Sequence, residues 1–65
     1  MKNRILNMKD TIVRDFKENT NTFNYAKEYG VYEVIDGFLY NTYEGEFNDE
    51  EVEQIIQILN KEFNL

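Results

Sequence analysis

Apolar residues recur at three- and four-residue steps at both ends of this chain, and the middle carries a more ambiguous pattern. Ile5, Met8, Ile12 and Phe16 make one stripe, broadened by Leu6 and Val13, while Lys2, Asn3, Asp10, Arg14 and Lys17 fall mostly on the other side. That period predicts an amphipathic helix from Lys2 to Glu18. A start at Thr11 is the weaker alternative, because Ile5 and Met8 would then belong to something else. Asn19 is a suitable terminator, and Glu18-Asn19-Thr20-Asn21-Thr22 reads as a polar loop.

The second clear stripe is Val52, Ile55, Ile56, Leu59 and Phe63, which predicts a helix over Asp49–Phe63. Its start is well marked. Asn48 and Glu51 can form a capping box, with Asn in place of the usual Ser or Thr, and Phe47 and Val52 can pack as a hydrophobic staple. Asp49, Glu50 and Glu51 put negative charge in the first turn and Lys61 puts positive charge near the last, both favoured by the helix dipole.

Between these helices the signals conflict. Thr22 can cap a short helix with Phe23, Ala26 and Tyr29 inward and Gly30 just past its end, although an extended edge segment fits nearly as well. Val31–Ile35 and Phe38–Tyr43 are rich in β-branched and aromatic residues, and Asp36-Gly37 between them suits the tight turn of a hairpin. Val31, Val34, Ile35, Phe38 and Leu39 also match one helical face, so periodicity alone does not decide. Turn chemistry and β-propensity favour the hairpin. The expected fold is therefore α+β: an N-terminal helix, a short helix, a two-stranded antiparallel hairpin and a C-terminal helix, with the two long helices on one face of the hairpin.

Sixty-five residues make a single small domain, near the lower limit for a self-sufficient core. Ten aromatics, a full set of aliphatic positions and the absence of Pro argue against disorder. With no Cys and no His, disulfides, thiolate metal sites and the commonest zinc ligand are excluded. Oligomerisation is the one remaining staple. Met1-Lys2-Asn3-Arg4 is basic, but no unbroken apolar run follows, so neither a signal peptide nor a membrane span is expected, and the expected location is the cytoplasm.

The chemistry is sparse. There is no Ser, Cys or His from which to build the common nucleophile-and-base pairs, and a domain this small has little room for a cleft that would tune a carboxylate pair. Gly30, Gly37 and Gly45 are spaced too widely for a phosphate-binding loop. Asp49-Glu50-Glu51-Glu53 lacks the ligand order of a calcium loop and reads as a capped, solvated helix start. No catalytic role, cofactor or metal is expected.

Charge changes the picture more. The net charge is −6, divided as +3 over residues 1–27 and −9 over residues 28–65. Asp36, Glu44, Glu46, Asp49, Glu50 and Glu53 form an acidic rim able to imitate a phosphate backbone and to steer the chain towards a basic surface. Plain solubility is the competing explanation. Of the five tyrosines, Tyr25, Tyr29, Tyr32, Tyr40 and Tyr43, nearly all lie within or next to the expected hairpin, and Tyr suits interfaces because it adds contact area with little entropy loss. The expected partner-binding set is the six acids with Tyr40 and Tyr43.

A short, acidic, cysteine-free chain of this kind resembles in character, though in no motif, the inhibitors that phages and mobile elements direct at host or defence proteins, such as anti-CRISPR proteins. That likeness implies a protein partner, one with a basic nucleic-acid-binding surface in the mimicry form, blocked sterically or by charge. The alternative is a homodimer or small structural oligomer. Direct nucleic-acid contact through Lys2, Arg4, Lys9, Arg14 and Lys17 is opposed by the acidic remainder.

Overall fold

The computed structural model describes residues 3–45 and 47–65. Every regular element in them is helical: α1 (Arg4–Glu18), α2 (Thr20–Tyr29), a 3₁₀ turn (Val31–Glu33), α3 (Ile35–Tyr43) and α4 (Asp49–Phe63). The expected α+β class is overturned, because no strand occurs among the described residues.

The two outer helices form where their stripes place them. Asn3 caps α1, its side-chain oxygen accepting from the N–H groups of Ile5 and Leu6. Ile5, Ile12 and Phe16 are buried, whereas Leu6 is 58% exposed and does not broaden the stripe. At α4 the capping box is complete: Asn48 Oδ1 accepts from the Glu51 N–H at 2.9 Å, and Glu51 Oε1 accepts from the Asn48 N–H at 3.1 Å. Ile55, Ile56 and Leu59 are buried, with Phe47, Val52 and Phe63 half-buried against the core.

The expected polar loop after α1 is a single residue. Asn19 ends α1 by donating its N–H to the Asp15 carbonyl, and starts α2 by accepting from the Thr22 N–H at 3.3 Å on its side chain. Thr22 is thus inside the helix and not its cap. Ala26 is buried and Phe23 half-buried as expected, but Tyr29 is 58% exposed. Gly30 ends α2 at φ 98°, ψ 157°, a backbone region open essentially to Gly alone.

The hairpin is replaced by the 3₁₀ turn and α3, and burial explains why. Val31, Ile35, Phe38 and Leu39 are all buried. A hairpin would divide them between two sheet faces, whereas helical spacing puts them together against the stripes of α1 and α4. Packing of that set outweighs the β-propensity of the individual residues. Asp36-Gly37 lies in the first turn of α3, where Asp36 meets the favourable end of the dipole. Gly30 and Gly45 are the described glycines with positive φ, so Gly37 makes no type I′ turn.

Phenylalanine rings close the interior. The Phe16 ring lies edge-on to Phe38 at 5.0 Å and Phe23 at 6.1 Å, and Phe23 meets Phe63 at 4.9 Å, so α1, α2, α3 and α4 each supply a ring. Such edge-to-face pairs add to simple area burial. No buried side-chain nitrogen or oxygen among the described residues lacks a hydrogen-bond partner. The Cα radius of gyration, 10.9 Å, is that of a closed globule of this length.

Candidate protein-binding face

The end of α3 sets the shape of the candidate face. Glu44 is left-handed at φ 65°, and its N–H reaches the carbonyls of Leu39 and Tyr40. Gly45 follows at φ 72° and donates to the Leu39 carbonyl at 3.2 Å. A Cβ on Gly45 would stand 3.3 Å from Tyr40 Cδ1, so Gly here lets the Tyr40 ring lie close over the turn. The chain then returns through Phe47 to the first turn of α4. Asp36, Leu39, Tyr40, Gly45, Phe47 and Val52 line the resulting hollow, about 300 Å³ in volume.

The expected site residues divide into three groups. Asp36 and Tyr40, one helical turn apart on α3, share the wall of the hollow, and Tyr40 is 69% exposed. Glu44, Asp49 and Glu50 are exposed at the end of α3 and the start of α4. Tyr43 and Glu53 are otherwise engaged. The Tyr43 hydroxyl donates to Asp15 Oδ2 at 2.8 Å, and its ring packs edge-on to Phe38 and Phe47, so it ties α3 to α1. Glu53 accepts from the Tyr32 hydroxyl at 2.6 Å. Glu46 lies outside the described residues.

Glu51, which the sequence assigned to capping, has a second task. Its carboxylate takes a two-pronged contact from Arg4, Nε–Oε2 at 2.6 Å and Nη2–Oε1 at 2.8 Å. The Arg4 guanidinium lies over the Phe47 ring, 4.8 Å from its centroid. The Arg4 contact and the Asn48 N–H hold the Glu51 carboxyl down at about 2. Burial and the bond to Asp15 push the Tyr43 phenol above its usual 10, and the bond to Glu53 raises Tyr32. None of these shifts moves a group towards neutral pH, the direction that acid–base chemistry uses.

Arg4–Glu51 and Arg14–Asp15 are the ion pairs among the described residues. Neither draws on Asp36, Glu44, Asp49, Glu50 or Glu53, so these five carboxylates lie in no ion pair among the described residues. The same two pairs engage Arg4 and Arg14, two of the cations through which α1 would have met nucleic acid; Lys2 lies outside the described residues. No group of three or more Asp, Glu, His or Cys side chains among the described residues is arranged to hold a metal ion.

Leu39, Phe47 and Val52 were missed as parts of this face. Their signal was the helical spacing of Asp36 and Tyr40, which the hairpin reading concealed by putting Asp36 in the turn and Tyr40 in a strand. No helix among the described residues is long and apolar enough to cross a membrane. Comparison with known protein families, curated proteins and solved structures finds no match to this chain.

Proposed function

We propose that the chain is an acidic helical interaction module that works by occupying a basic surface of another protein, in the manner of phage- and mobile-element inhibitors of host or defence proteins. The observation that carries this reading is one grouping. Asp36, Glu44, Asp49 and Glu50 are exposed, lie in no ion pair among the described residues, and belong to the two elements that border the hollow beside Tyr40. Carboxylates left without an internal counter-charge repel one another, and a cationic partner relieves that repulsion and is steered by their field. Tyr40 adds a broad, stiff contact at its centre.

The test compares the chain with the variant Asp36→Lys/Glu44→Lys/Glu50→Lys as bait in a host extract, after circular dichroism confirms that both are folded. A protein held by the original chain, released by salt, and reduced about tenfold or more on the variant supports the reading. Equal capture by both discards it.

Self-assembly is the second reading, and one observation favours it. Leu6 is 58% exposed and shares a groove between α1 and α4 with Ile58. Sedimentation at micromolar concentration decides: a monomer that Leu6→Gln leaves unchanged removes this reading.

A further inference from the structure

Resting on the docking role above, the geometry points to an arginine side chain of the partner as the group that seats in the hollow between α3 and the start of α4. Three features of the hollow converge on that choice. Its lining is largely apolar, with Leu39, Phe47 and Val52; Asp36, whose carboxylate is in no ion pair among the described residues, lines it as well; and the exposed Tyr40 completes it. At about 300 Å³ it lies at the lower bound for small-molecule sites, a size suited to one long side chain.

Arginine matches each feature. Its methylene stem covers apolar surface, its planar head stacks on an aromatic ring, and its fork of N–H donors meets a carboxylate in two places. Lysine offers a point charge that is more strongly hydrated and does not stack in this way. A phosphate group would be repelled by Asp36. The molecule already contains the same association at the border of the hollow, where the Arg4 guanidinium lies over Phe47 and grips Glu51. Glu51 offsets the Arg4 charge, which lessens its repulsion of an incoming cation.

The experiment titrates acetyl-Gly-Arg-Gly-amide, and its lysine and citrulline counterparts, into the isotope-labelled full chain at low ionic strength, following backbone amide resonances. The expected result is saturable shifts centred on Asp36, Leu39, Tyr40, Gly45 and Val52 with the arginine peptide. Binding should be about fivefold weaker or more for lysine and lost for citrulline. Asp36→Asn and Tyr40→Ala should each weaken the arginine peptide about threefold or more while the far-ultraviolet spectrum stays the same. Arginine no better than lysine or citrulline, or shifts spread over all acidic positions, would overturn the proposal. If the peptide fails while charge reversal still releases a captured protein, the arginine seat falls and the docking role stands. If the peptide saturates but no protein is captured, the seat stands and the inhibitor reading falls.

Discussion

Gly30 and Gly37 show how far one residue type can differ in its physical task. At Gly30 a Cβ would meet nothing within 4 Å, yet φ 98° with ψ 157° excludes other residues on backbone grounds. Gly30→Ala should therefore cost about 1–3 kcal/mol. At Gly37 a Cβ also meets nothing, but the residue is an ordinary helical one in α3. Gly37→Ala should gain about 0.4–1 kcal/mol by restricting the unfolded chain. Urea denaturation of the two variants checks the opposite signs. The role of Gly30 was legible in the sequence, since Gly after a short periodic run marks a helix end. That of Gly37 was not, because an Asp-Gly pair looks the same whether it turns a hairpin or opens a helix.

Among the elements, those with both a stripe and a cap were legible. For α4 the bounds, capping box and buried face all follow from the sequence, and α1 departs mainly in the exposure of Leu6. In contrast, α3 carries no side-chain cap at Val34 and enters from a 3₁₀ turn, so nothing local announced its start. Its helical face was visible but competed with β-branched and aromatic residues, and only burial against other elements resolved the contest. Two bonds between elements give pH-dependent predictions. The Glu51 carboxyl falls from 4.5 to about 2 on folding, so its contribution is complete above pH 4.5 and is lost as pH falls towards 2. Glu51→Gln should lower stability at pH 7 and flatten the decline across that window, as read by denaturant midpoints at each pH. The Tyr43 phenol is raised above 10, so its contribution is full below pH 10 and is lost as pH rises through the higher folded value. Tyr43→Phe should cost about 1–2 kcal/mol at neutral pH and lessen the fall in stability above pH 10, measured in the same way.

For the whole molecule, a hairpin with both long helices on one face would have left its other face uncovered. In the helical fold the buried residues of all four helices meet in one interior, and Tyr25, Tyr29, Tyr32 and Tyr40 are exposed outside it. The charge is unevenly placed on this globule. Residues 28–65 carry −9, and among the described residues Glu51 is the carboxylate of that segment held in an ion pair. Screening should relieve more repulsion than it removes attraction. The melting temperature should rise as sodium chloride increases from about 10 mM to about 0.5 M, as followed by circular dichroism; a fall would mean that the ion pairs outweigh the crowded acids. The acidic half was legible from composition. The hollow was not, because its walls come together only when Asp36 and Tyr40 are placed on a helix.

The joint at Asn19 leaves α1 and α2 without slack, since one residue closes the first and opens the second. Each residue added to a helix advances its side chains by about 100° around the axis. A one-residue insertion beside Asn19 that extended either helix would swing Ala26 and Phe23 away from the interior and carry Tyr25 and Tyr29 towards it. A gap or insertion here in a related chain would signal that its second helix presents a different side to the core.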